Sequence, residues 1–153
     1  MGTKSNLVPK YELKYGENNI EIIIKNTIFN FESMYEDCIS LKNIEGLKYL
    51  DVSNWTNFRY MFYRCEYLSE IESLENWNVS NGKDFSGMFF ECSSISNIKP
   101  LENWNVSNGK YFSNMFALCS SLSDIKSLEN WDVANGVYFS AMFRGGVVIL
   151  YQI

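Results

Sequence analysis

Recurrence at every twenty-seventh residue governs what this chain can fold into. The strings LENWNVSNGKDFSGMF at 74–89, LENWNVSNGKYFSNMF at 101–116 and LENWDVANGVYFSAMF at 128–143 repeat nearly word for word, and Trp77, Trp104 and Trp131 keep that spacing without drift. The period outlasts the near-identity. Subtracting 27 from Cys119 leads to Cys92, Cys65 and Cys38, and from Met142 to Met115, Met88, Met61 and Met34. Phe139, Phe112, Phe85, Phe58 and Phe31 form a third column. A fixed period of this length marks a repeat architecture, in which each unit buries its apolar face only against its neighbours. The array is expected to cover 20–146 in coils 20–46, 47–73, 74–100, 101–127 and a broken one from 128. Residues 1–19 are then an N-terminal flank or cap and 147–153 a C-terminal strand, all in one domain.

Inside one repeat the apolar spacing changes. Phe85, Met88, Phe89 and Cys92 fall at i, i+3, i+4 and i+7, one stripe of a short amphipathic helix. The Asn-Gly pairs at 81–82, 108–109 and 135–136 precede it, where a positive-φ turn or a helix cap redirects the chain. Downstream, Leu101, Trp104 and Val106 fit the L-x-x-L-x-L strand of a leucine-rich repeat. A rival strand over 95–101 would lose a ladder donor at Pro100. The expected fold class is α/β: a leucine-rich-repeat-like right-handed solenoid of about five 27-residue coils, each a short parallel strand plus a short helix. At a parallel-strand spacing of ~4.8 Å, four steps advance such a solenoid by about 19 Å.

Stacking turns repeated residues into columns. Trp77, Trp104 and Trp131 are expected in the core, with Cys38, Cys65, Cys92 and Cys119 beside them as buried thiols. Asn54, Asn81, Asn108 and Asn135 form a ladder whose amides satisfy loop backbone groups from coil to coil. A zinc site needs four ligands converging on a point; a column sets one sulfur per coil along a line, and the chain has no histidine. A disulfide between adjacent coils is the residual alternative for the thiols. The Trp column also invites a sugar- or base-stacking reading, against which its period aligns it with the core. Asn54, Asn78 and Asn105 head Asn-x-Ser/Thr triplets, glycan acceptors in a secreted eukaryotic protein, although a repeat built of Asn, Val and Ser produces such triplets by itself.

Composition narrows the function. A hydrophobic fraction of 46% supports a continuous core, and a net charge of −5 with scattered Lys and Arg provides no basic patch for nucleic acid. No segment approaches the ~18 consecutive apolar residues of a membrane span. The N-terminal MGTKSNLVPKYELK lacks the apolar core of a secretory signal, and Asn6 stands where myristoylation requires Ser or Thr; the same stretch is equally the front of a piece of a longer protein. Catalysis has little foundation. There is no His for a triad, Glu75, Glu102 and Glu129 recur as an outward column, and an active site needs different groups converging once. The expectation is a non-enzyme with no cofactor and no metal.

Disagreement between repeats is more informative. Tyr60, Gly87, Asn114 and Ala141 share one column, Tyr63, Phe90, Ala117 and Arg144 a second, and Asn57, Asp84, Tyr111 and Tyr138 a third. Flanking the expected helix, these columns should face solvent. Tyr60, Tyr63, Phe90, Tyr111 and Tyr138 are therefore the candidate partner-contact residues, since aromatic side chains are enriched at interface cores; plain surface drift is the competing reading.

The string WDVANGVYFSAMF at 131–143 and the pattern M-F-x-x-C-x-S-L-x-x-I at 115–125 resemble the BspA-like leucine-rich-repeat surface proteins of mycoplasmas, spirochaetes, clostridia and parasitic protists. The likeness covers 20–143, with two departures: Gly82, Gly109 and Gly136 where that family usually has Val, and one extra residue between Ile98 and Leu101. The resemblance implies a non-enzymatic protein-binding or adhesion module on a cell-surface or secreted parent protein, with a host protein or a second copy as partner. The alternative is a building block that assembles end to end through its repeats. After Phe143 the pattern fails: Gly146 takes the Cys position and VVILYQI follows. That segment is expected to be buried as a strand, either capping the array or forming a two-fold homodimer contact.

Overall fold

The computed structural model describes residues 32–146. The flank at 1–19, the start of the first coil with Phe31, and the strand expected at 147–153 lie outside the described residues. Within them, four 3-10 helices are the only helices: η1 (Glu45–Tyr49), η2 (Glu72–Leu74), η3 (Lys99–Leu101) and η4 (Lys126–Leu128). The residues before them are Ile44, Ile71, Ile98 and Ile125, one per repeat. Pro100 sits in the first turn of η3, where no intrahelical N–H is needed. Isolated parallel bridges join Asn43 to Glu70, Asn57 to Asp84, Asp84 to Tyr111 and Tyr111 to Tyr138.

Two local expectations therefore change. The helix expected over 85–92 and its equivalents is a run of turns, and the strand expected near 104–106 is absent, the parallel contacts lying instead at 43 and 70 and at 57, 84, 111 and 138. The cause is the direction of the backbone donors. Met61, Tyr63 and Cys65 donate three residues back, to Phe58, Tyr60 and Phe62, at 3.3, 3.1 and 3.2 Å. Phe58, Tyr60, Phe62 and Arg64 donate instead to Asp84, Ser86, Met88 and Phe90 of the next repeat, at 2.8, 3.0, 2.9 and 2.7 Å. An α-helix would spend all of these groups on itself. Here alternate donors tie one repeat to the next.

The alternation requires a left-handed residue at every fourth position. Tyr60 and Arg64 have φ of 56° and 59°, and Gly87 and Glu91, Asn114 and Leu118, and Ala141 and Gly145 repeat the pair one, two and three periods on. Phe58, Met61, Phe62 and Cys65 still point inward and are wholly buried, so the stripe at i, i+3, i+4 and i+7 is produced by a backbone that is not helical. The turn expected at the Asn-Gly pairs is there, closed by the Gly82 and Gly109 N–H groups on the Val79 and Val106 carbonyls at 2.8 and 2.7 Å, but it does not use a left-handed glycine. Neither has positive φ, and a Cβ on Gly109 would lie 2.3 Å from Phe112 Cζ and 2.9 Å from the Val106 carbonyl. They are small because the chain passes too close to a core ring. Trp55 stands in that glycine column one repeat earlier, its ring 5.9 Å from Phe58 and edge-on to Trp77 at 6.1 Å.

Rings stack down the columns at one repeat per step. Phe58, Phe85, Phe112 and Phe139 lie 5.3, 5.5 and 5.2 Å apart between centroids, and Tyr35, Phe62, Phe89, Phe116 and Phe143 lie 5.5 to 5.7 Å apart. Offset stacking of this kind adds roughly 0.5–1.5 kcal/mol per pair to the burial itself. No described polar or charged residue is buried.

Candidate functional site

The Trp, Asn and Cys columns of the sequence each make rungs to the repeat before. The indole Nε1 of Trp77, Trp104 and Trp131 donates to the carbonyls of Leu47, Leu74 and Leu101 at 3.1, 2.9 and 2.9 Å. Asn81, Asn108 and Asn135 donate Nδ2 to Ser53, Ser80 and Ser107 at 2.7 to 2.8 Å; the corresponding acceptor of Asn54 falls outside the described residues. The thiols of Cys65, Cys92 and Cys119 reach the carbonyls of Tyr35, Phe62 and Phe89 at 3.0 to 3.1 Å. Burial pushes Cys65 and Cys119 up to about 12 and Cys92 well above the ordinary thiol range, and half-buried Cys38 is raised as well, by burial and then by the Asp37 carboxylate. All four are free. A reactive cysteine needs its thiolate stabilised, and these sites do the opposite.

The candidate contact residues fall into two groups. Tyr60 lies edge-to-face with Tyr63 at 5.2 Å, and Tyr63 stacks on Phe90 at 4.7 Å with 8° between the planes. All three are half-buried. The Tyr60 ring occupies the space that a side chain at 87 would need: a Cβ on Gly87 would meet it at 2.5 Å. Arg59 closes the group, its guanidinium 4.6 Å above the Tyr60 ring and its Nη2 donating to the Tyr60 hydroxyl at 3.1 Å. Tyr111 and Tyr138 stack on one another at 5.3 Å in the bridge column, 39% and 54% exposed. Among the described residues no ring contact joins the two groups. The variable columns are also less exposed than expected, because Gly87 and Ala117 are buried.

Charge organises the first group further. Arg64 pairs with Asp37 of the preceding repeat at 3.0 Å and with Glu91 of the following one at 3.3 Å, alternating sign down one column. Exposed pairs of this kind contribute only about 0–1 kcal/mol each, but they hold the long Arg64 side chain between its two neighbouring repeats. Sequence reading missed Arg59 and Arg64, although Asp37, Arg64 and Glu91 stand one period apart and the alternation was there to be seen. The arrangement offers partly exposed rings and guanidinium groups on a framework held by backbone bonds, a surface for contact. Among the described residues no three His, Cys, Asp or Glu side chains are grouped to hold a metal ion, and no helix is long and apolar enough to cross a membrane.

Compared with known proteins, residues 29–149 match the family described as "Mycoplasma protein of unknown function, DUF285". No curated protein and no solved structure matches the chain.

Proposed function

The chain belongs to this Mycoplasma family of unknown function, and we propose that it is a non-enzymatic protein-binding module of a surface or secreted repeat protein, of the BspA-like leucine-rich-repeat kind. Its repeats are the coils of a right-handed solenoid. Support for the solenoid comes from the donors of 58–64, which bond one repeat to the next, and for the repeat type from the Trp, Cys and Asn positions that the sequence resemblance rests on. The single observation that carries binding is the group Arg59, Tyr60, Tyr63, Phe90 and Arg64. Tyr and Arg dominate the energetic centres of protein interfaces, and the close, partly exposed Tyr63–Phe90 stack lies against Tyr60, whose ring is covered by Arg59.

The test is binding of the full chain to a panel of immobilised extracellular-matrix glycoproteins and to intact cultured epithelial cells. The double variant Tyr63→Ser with Phe90→Ser should lose at least tenfold in affinity for whichever surface the parent binds, with an unchanged thermal unfolding profile. Equal binding by the folded double variant places the contact elsewhere.

A further inference from the structure

We propose that copies of this chain join head to tail, the repeat at 128–146 of one copy stacking against the repeat at 32–46 of the next, so that the columns run on from molecule to molecule. The idea rests on the stacked coils proposed above and is independent of the aromatic group.

Two open edges carry it. Phe112, Asn114, Phe116 and Leu118 donate to Tyr138, Ser140, Met142 and Arg144 at 2.7 to 2.9 Å. Their equivalents one period on, the N–H groups of Phe139, Ala141, Phe143 and Gly145, have no acceptor among the described residues. At the other edge the carbonyls of Met34 and Glu36 receive no donor among the described residues, although the same positions in the next repeat, Met61 and Tyr63, accept from Tyr35 and Asp37 at 2.8 Å. One edge offers donors at two-residue spacing and the other offers acceptors at the same spacing. The apolar columns are open at the same two places. Val133 is 37% exposed where Val106 is 1%, and Phe139 is 39% exposed where Phe112 is 0%. Met34, Tyr35 and Cys38, like Met142 and Phe143, are only partly buried, whereas Met61, Phe62, Cys65, Met115 and Phe116 are wholly so.

The occupant follows from hydrogen-bond polarity. Two copies meeting through the same edge would set donors against donors, which excludes a two-fold contact there. A head-to-tail joint supplies acceptors to the last two of these donors. The Phe143 N–H faces the Met34 carbonyl of the next copy, the Gly145 N–H faces its Glu36 carbonyl, and the Tyr35 ring continues the column that ends at Phe143. The register agrees, because Met142 lies a whole four periods beyond Met34 (142 − 34 = 4 × 27), so that the fifth step falls on the next copy's Met34. It also continues a contact the chain already makes between its own repeats. A heterologous contact that does not close on itself yields linear polymers.

Sedimentation velocity of the full chain over a range of concentrations tests this. Wild type should gain average mass as concentration rises. Val133→Glu blocks the donor edge and Met34→Glu the acceptor edge; each alone should remain monomeric, and an equimolar mixture should form a one-to-one dimer and nothing larger. Wild type that stays monomeric at every concentration overturns the proposal, showing that the chain's own terminal residues or solvent cover these edges. Self-association of either variant alone overturns it in favour of a two-fold contact. Should Met34→Glu lose its circular dichroism, Val133→Glu still decides: added to wild type it should end-cap and shorten the polymers, and polymers of unchanged length refute the joint. The Tyr63→Ser, Phe90→Ser variant should polymerise like wild type, which separates this result from that of the aromatic group.

Discussion

Gly87 illustrates how much one position in this repeat is asked to do. It lies in the left-handed region at φ of 60°, and its missing Cβ leaves the space that the Tyr60 ring fills. Alanine there meets both obstacles, a backbone cost of about 1–2 kcal/mol for the conformation and a displaced ring besides. Gly87→Ala is expected to lower stability by roughly 2–3 kcal/mol in urea unfolding, and the penalty should shrink by about half in a Tyr60→Ala background, where only the backbone cost remains. An equal penalty in both backgrounds would mean that the ring is not held against residue 87. Tyr60, Asn114 and Ala141 occupy the same column with φ of 56–58°. The mixture of Gly, Asn, Tyr and Ala at one repeat position reads in sequence as surface drift, and the presence of Gly and Asn was the only hint of a backbone requirement.

At the scale of the element, the inward stripe was legible and its backbone was not. Spacing of i, i+3, i+4 and i+7 identifies which side chains share a face, and Phe58, Met61, Phe62 and Cys65 do share one. Spacing cannot say whether a carbonyl accepts from its own turn or from the next repeat, and that choice separates a helix from the stacked turns found here. The thiol column yields a pH prediction. Burial raises Cys65 and Cys119 from an ordinary 9.0 to about 12 and Cys92 in the same direction, so the folded state holds its thiol protons longer than the unfolded chain does. Their contribution to stability is complete below pH 9.0 and is lost as pH rises from there toward about 12. The melting temperature should fall across that interval, and less steeply for Cys92→Val, which removes one of the titrating groups. Parallel curves for the two proteins would place Cys92 outside the core.

For the whole molecule, interchangeable repeats make length adjustable in whole periods. Excising 101–127 leaves the donors of 85–91 facing the acceptors at 138–144, residues of the same repeat positions, and sets Trp131 Nε1 beside the Leu74 carbonyl. The shortened chain should unfold cooperatively at a lower temperature, by the loss of one unit and one interface. Excising 101–114 instead breaks the register and should abolish cooperative unfolding. Equal behaviour of the two deletions, followed by calorimetry, would refute a stack of equivalent units. The candidate contact group was partly visible at this scale: the variable columns drew attention to Tyr60, Tyr63 and Phe90, but also to Tyr111 and Tyr138, which the chain path sets in a separate pair. Adjacency along a coil depends on the curvature of turns that no residue spacing encodes.

The period, the register and the membership of the core were determined by the sequence alone, because a column must repeat the residue that neighbouring repeats bury together. On that ground the Trp, Cys and Phe columns are legible, and the structure buries them in the middle repeats while leaving Cys38 half-buried and Phe139 39% exposed. Only the tertiary structure decided where the hydrogen bonds go. The amides of Phe58, Tyr60, Phe62 and Arg64 point along the stack rather than along the chain, and the thiols and indoles donate backward to the preceding repeat. The physical reason is that the side-chain pattern specifies which face is dry, while a backbone amide is the same group at every residue and takes its partner from whatever the packed neighbours bring within reach.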